Sequence, residues 1–413
     1  MSRHPLLAAP ALFVALLVVA PAAGEDPPPA TDFAGGSNAF SAGLFRALAE
    51  EPGNLFVSPF SAAVALAMVR EGARGETATQ MDAVLHTTGP AGEALAVLSK
   101  ALAPGLIPEG RGEERTEIPA FALSIANRAW VQEGLAIEAA YEKRLAGCFE
   151  APVGRIDFRE TAAARAAIND WVFEKTAERI KDIVPEGLPT ADTLLALANA
   201  IHFKASWAEP FDEEWTKEGP FTPAAGEPVT ARFMNRTARL SYAEADGAQI
   251  LEIPYRGGET SMVVVLPKSK DGLPALIAAL TGERLKGWID ALAGKRVAAS
   301  LPKFTFTSSF DLGGRLAALG MKDAFSARDA DFTGITTAEP LFIGPVLHKA
   351  FVAVDEAGTE AAAATVVMML KGAAPRTEEP TPFVADHPFL FLIRHRATGA
   401  ILFIGRVADP TKG

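Results

Sequence analysis

Residues 355 to 365 read Asp-Glu-Ala-Gly-Thr-Glu-Ala-Ala-Ala-Ala-Thr, a run of small side chains behind an acidic start. Four alanines suit a helix, yet the flanks do not. Ala350-Phe351-Val352-Ala353-Val354 before the run and Val366-Val367 after it are aromatic and β-branched stretches that favour extended chain. Because side chains alternate across a strand, Thr359, Ala361, Ala363 and Thr365 share one face, and none is large or charged enough to resist burial. Such a segment can insert between two strands of an existing sheet. Composition alone leaves a second reading open, an Ala-rich surface loop in a chain that is Ala-rich throughout.

The residues beyond the run bear on that choice. Residues 371 to 386 are rich in Pro and charge, as expected of an exposed, protease-accessible tip. Beyond them Pro388 to Ile393 and Ala400 to Gly405, separated by the turn Ala397-Thr398-Gly399, read as two strongly apolar strands. The small-residue segment is therefore tethered to sheet at both ends.

No Gly/Ser or charged linker divides the 413 residues, and apolar segments continue evenly from Phe40 to Val407. One large domain is expected rather than the two that length alone suggests, and 49% hydrophobic residues supply a core of several layers. A formal net charge of −11 argues against nucleic acid, whose phosphates nothing here would neutralise. Met1-Ser2-Arg3-His4 followed by an apolar run from Pro5 to Ala20 has the layout of a secretory signal and is short for a membrane span. Cleavage is expected after Gly24, leaving a single domain over 25–413 with no stable membrane association.

Signals of catalysis are sparse. There is no Gly-x-Ser-x-Gly, no His-Glu-x-x-His and no Walker-type loop, and the six histidines show no metal-ligand spacing. Cys148, the only cysteine, has no activating base beside it and reads as an incidental thiol. Neither a metal nor a cofactor is expected, and an enzyme is the weaker hypothesis.

The coarse secondary structure is mixed. Helices are expected over 37–49, 59–71, 161–178 and 310–321, the second capped by Ser58 with Pro59 in its first position. Strands are expected over 194–203, 250–254, 262–266 and 298–306, with a loop over 327–335.

Four segments, in order, resemble the serpins, the serine protease inhibitor family. Asn54 to Ser61 is similar to the approach to the family's buried second helix, and Leu197 to Trp207 to its third central strand. Leu347 to Phe351 with Asp355 to Glu360 resembles the fifth strand and hinge, and His387 to Val407 the C-terminal barrel strands. The matches span roughly residues 37 to 410.

The resemblance implies a mixed α+β fold of three β-sheets surrounded by about eight or nine helices, with an exposed reactive-centre loop over about 356–386. It implies a monomer that inhibits serine proteases, and in some members cysteine proteases, by being cut: the freed strand enters the central sheet while the protease is held as a covalent acyl-enzyme. Glu356, Gly358, Thr359, Glu360, Ala361, Ala362, Ala363, Ala364 and Thr365 would form the hinge, with Thr359 leading the way into the sheet. Ser58, Ser61, Asn199 and His348 would form a polar network where the strands part, and Trp207 would pack near the loop's point of insertion. The usual spacing from Glu356 ends at Gly372, while a loop one residue shorter ends at Lys371, so the reactive bond is expected at Lys371-Gly372 with a trypsin-like target. Met369, Leu370 or Ala373 would point instead to elastase- or chymotrypsin-like enzymes, and Arg376 is a further basic option. A non-inhibitory carrier or chaperone would share the fold.

Overall fold

The computed structural model describes residues 30–109, 115–360 and 379–413. Three sheets of unequal size carry the described residues. The central six-stranded sheet runs in the order Phe304–Asp311, Leu347–Val354, Gly358–Thr359, Leu195–Ser206, Ala122–Gln132, Val153–Ile156. A nine-stranded sheet runs Leu55–Val57, Ile401–Val407, Phe389–His395, Thr260–Pro267, Ala248–Pro254, Val229–Ala245, Ala293–Pro302, Thr381–Val384, with Lys217–Phe221 added against Val229–Ala245. Leu106–Glu109 and Thr116–Pro119 form a separate ribbon. Nine α-helices surround them among the described residues.

The core lies between the two large sheets. Every residue of Thr260–Pro267, Phe389–His395 and Ile401–Val407 is buried, so these strands read as continuous apolar runs rather than alternations because both faces are covered. Phe56 stacks on Phe391 and Phe403 at centroid distances of 5.6 and 5.0 Å, and Phe304 meets Phe391 at 5.1 Å. These rings join the sheets directly. The outer face of the central sheet is covered by the helix Thr161–Lys175, whose Ile168 and Val172 pack with Trp130 and Ala198, while Trp171 meets Trp130 edge-on.

The helix Pro59–Arg70 is buried along almost its whole length, which is why its sequence is apolar all round. Ser58 caps it: its hydroxyl accepts the Ser61 N–H at 3.1 Å and donates to the Leu402 carbonyl at 2.7 Å. One side chain thus starts the helix and fixes it to a C-terminal strand.

Three sequence expectations need correction. The strand expected over 298–306 is two strands in different sheets, Ala293–Pro302 and Phe304–Asp311, separated at Lys303, whose N–H turns aside to the Arg232 carbonyl. Phe310 and Asp311 end the second of these; the helix begins only at Gly313, because the Asp311 carboxylate caps the Gly313 and Val346 amides and closes the strand. The helix expected to reach Glu178 ends at Lys175, where Ala177 and Glu178 enter the left-handed region at φ 48° and 65°. The loop over 327–335 agrees with the structure.

Replacing Ser58 with Ala removes the helix cap and leaves the Leu402 carbonyl without its donor. A loss of about 1–3 kcal/mol is expected, read as a lower urea midpoint with the far-UV spectrum of the native protein retained.

Candidate functional site

The strands Leu195–Ser206 and Leu347–Val354 stand side by side in the central sheet without pairing to each other among the described residues. At one end Gly358–Thr359 lies between them, with Gly358 opposite Ser206, Thr359 opposite Ala205, and Val354 opposite Thr359. Two residues of the expected hinge are already strand. Sequence reasoning had Thr359 entering the sheet first on insertion; in the uncleaved chain it is there beforehand.

The turn that delivers these residues is built locally. The Asp355 carboxylate accepts the amides of Ala357 at 2.9 Å and Gly358 at 3.2 Å, an Asx-type turn. A side chain at Gly358 would place its Cβ 2.1 Å from the Ala205 carbonyl oxygen, so only glycine permits this approach of the two backbones. Trp207 closes the turn from below: its amide donates to the Ala357 carbonyl and its indole N–H to the Asp355 carbonyl, each at 2.9 Å. Its ring stacks on Tyr255 at 4.6 Å, and the Tyr255 hydroxyl lies 2.6 Å from Thr359 Oγ1.

Charge holds the segment on both sides. Glu356 is buried, and burial pushes its carboxyl up; the bonds from Lys303 and from the Thr216 hydroxyl (2.7 Å) outweigh this and leave it below the usual range. Glu360 is buried too, at φ 52°, with Oε2 2.8 Å from His202 Nε2 and 3.3 Å from Arg179 Nε. Its amide donates to the Ala353 carbonyl.

Farther along the same gap, the Ser58 amide donates to His348 Nε2 at 3.2 Å. That nitrogen is an acceptor, so the imidazole is neutral, and burial lowers its pKa to about 4. The Ser61 amide joins the group through Ser58, and the Ser61 hydroxyl has no hydrogen-bond partner among the described residues. The backbone of Asn199 pairs opposite Asn127; its side chain lies outside what the structure describes, as do Ala361, Ala362, Ala363, Ala364, Thr365, Met369, Leu370, Lys371, Gly372, Ala373 and Arg376, and residues 1–29.

Both described ends of the segment expected as an exposed loop over 356–386 depart from that expectation. Glu356, Thr359 and Glu360 are buried, and Thr381–Val384 is a strand parallel to Ala293–Pro302 with Phe383 wholly enclosed. The side chains that sequence reasoning missed are Arg179, Tyr255, Thr216, Lys303 and the role of His202. They come from separate elements and carry no motif; only the place of His202 within the strand-like segment Leu197 to Trp207 was legible.

Burial pushes the Cys148 thiol up, as do Glu71 and Glu93, against the pull of Arg144, the reverse of an activated nucleophile. No group of three His, Cys, Asp or Glu among the described residues is placed to hold a metal.

The depressed His348 value makes stability depend on acid. Below about 6.5 the unfolded chain takes up a proton that folded His348 refuses until about pH 4. Stability present at neutral pH is therefore lost as pH falls through this window, by about 3 kcal/mol in all, and His348→Gln should flatten that slope in denaturant midpoints measured from pH 7 to 4.

Comparison with known proteins agrees with this geometry. The family model described as Serpin (serine protease inhibitor) matches residues 35–410. An uncharacterized serpin-like protein of Thermococcus kodakarensis is 37% identical over 377 residues, covering 91% of this chain and 85% of that protein. The leukocyte elastase inhibitor of Xenopus tropicalis is 37% identical over 382 residues, covering 90% and 97%. Among solved structures, the thermophilic serpin tengpin in its native state superposes with a TM-score of 0.80 at 30% identity, covering 91% and 94%. Uncleaved ovalbumin gives 0.77 at 28%, covering 92% and 100%. By sequence and by fold alike, the chain belongs to the serpin family of serine protease inhibitors.

Proposed function

We propose that this chain is a suicide-substrate inhibitor of serine proteases, exported as a monomer over residues 25–413 once residues 1–24 are removed. The observation that carries the reading is the position of Gly358 and Thr359, paired with both of two otherwise parted strands and followed, after Glu360, by the small residues Ala361 to Thr365 of the sequence. A strand begun in this way can continue once the chain beyond it has slack.

Cleavage supplies the slack. The protease serine attacks the carbonyl of the residue before the scissile bond, an ester to that residue forms, and the C–N bond breaks as the leaving amine takes a proton. Completion of the cycle needs water to attack the ester. Insertion of the freed segment, with the protease still attached, competes with that step by carrying the ester away from the geometry that hydrolysis requires. Alternate small side chains matter because each must be buried as the strand advances.

Lys371-Gly372 is the proposed bond, and a basic side chain before it suits the acidic pocket of a trypsin-like protease. Relatives named leukocyte elastase inhibitor favour the alternative of an apolar residue at this position, for which Met369 and Leu370 are at hand.

Incubation with trypsin, elastase, chymotrypsin and subtilisin separately should give an SDS-resistant covalent band with trypsin and a released C-terminal peptide that begins at Gly372. A band with elastase or chymotrypsin alone moves the bond. Cleavage by all four with no covalent band overturns inhibition of these classes and favours a carrier or chaperone, a reading consistent with structural neighbours such as thyroxine-binding globulin in complex with thyroxine. Thr359→Arg puts an unpaired charge where Tyr255 and the sheet enclose Thr359, and should cut the yield of covalent complex about tenfold while cleavage persists.

A further inference from the structure

Residues 176 to 184 come after the helix Thr161–Lys175 and cross the gap between the parted strands. Ala177, Glu178 and Asp182 take φ of 48°, 65° and 48°, so the backbone reverses repeatedly without a glycine. Both ends of this strap are fastened to the helix: the Thr176 hydroxyl donates to the Val172 carbonyl and accepts the Ile180 amide, and the Asn169 amide group bonds both the N–H and the carbonyl of Val184. On the far side, Lys349 Nζ donates to the Lys181 carbonyl at 2.7 Å, and the Arg179 guanidinium stands 5.7 Å over the Phe351 ring, both on the strand Leu347–Val354.

One carboxylate oxygen joins all of this. Glu360 Oε2 contacts Arg179 of the strap and His202 of the strand Leu195–Ser206. Continuing the observed register past Thr359 would set Glu360 opposite Lys204 and Ala362 opposite His202. The carboxylate therefore reaches along the slot to the level at which Ala362 would pair, and the left-handed φ of Glu360 departs from strand conformation at that point. For the strand to lengthen in this register, residue 360 must return to an extended conformation, and its contacts with His202 and Arg179 are made from the left-handed one.

We infer that Arg179 and His202 are positioning residues that clasp Glu360 and set the depth to which the hinge enters the sheet of the uncleaved chain. The Glu360 side chain is 3% exposed and that of Arg179 52%. Removing the cation leaves a buried carboxylate short of a partner, a larger effect than loss of a surface pair. The inference rests on reading the chain as an insertion inhibitor only for its consequence, not for its test.

Hydrogen exchange at the amides of Gly358 to Glu360 in the uncleaved full chain reads the clasp directly. Glu360→Gln and Arg179→Ala should each speed exchange of the Glu360 amide by about tenfold, and the double variant should add little to the faster single. Arg179→Lys should restore the native rate, which a variant that merely disturbs packing would not. The second readout is the rate at which the chain, cut by excess subtilisin, gains resistance to heat; Glu360→Gln should raise it about threefold. Exchange at the native rate in both Glu360→Gln and Arg179→Ala overturns the clasp. A wild-type chain that is cut yet gains no resistance to heat overturns insertion instead, and the exchange rates still decide the clasp.

Discussion

A sheet in which Leu195–Ser206 and Leu347–Val354 do not pair with each other among the described residues is the constraint on which the rest of this structure depends. Backbone N–H and C=O groups inside a protein demand partners, and a parted pair of strands is a template for whatever strand arrives first. The gap must therefore be held open by groups that compete with pairing. Here they are side chains and loop backbone: the Ser58 amide on His348, Trp207 on the Asp355 turn, Lys349 on the Lys181 carbonyl. Each takes up a polar group close to the gap, and each belongs to an element that would have to shift if the gap closed.

The charges around the hinge obey the same economy. Glu356 and Glu360 are four residues apart and both buried, yet they face different supports. Glu356 is bonded by Lys303 and Thr216, from the nine-stranded sheet's side, and Glu360 by His202 and Arg179, from the outer face of the central sheet. Between them sit Gly358, which admits no side chain, and Thr359, which is small enough for the space beside Tyr255. The segment is gripped at its charged ends and smooth in the middle.

Much of this was legible in the sequence. The extended run Ala350 to Val354, the Ser58-Pro59 start of a buried helix and the apolar C-terminal strands come from propensity and period, because those properties are local. The break at Lys303 was not legible, since Ala298 to Phe306 has one continuous strand pattern and only its neighbours decide that the two halves enter different sheets. The supports of the hinge were not legible for a related reason. Arg179, Tyr255 and Lys303 are ordinary residues in their own segments, and they acquire a role only through contacts across 53 to 181 positions of chain, as between Lys303 and Glu356 or Arg179 and Glu360. Ser61 enters the expected group through its amide, which donates to the Ser58 hydroxyl.

The division at Lys303 has a mechanical side. Ala293–Pro302 pairs with Thr381–Val384, and Phe304–Asp311, one residue further along the same chain, pairs with Leu347–Val354. The two moorings of residues 361 to 378 thus hang from one unbroken length of backbone, and Lys303, at its midpoint, also grips Glu356. The span between the moorings is set by that length, as the tips of a bow are set by its stave.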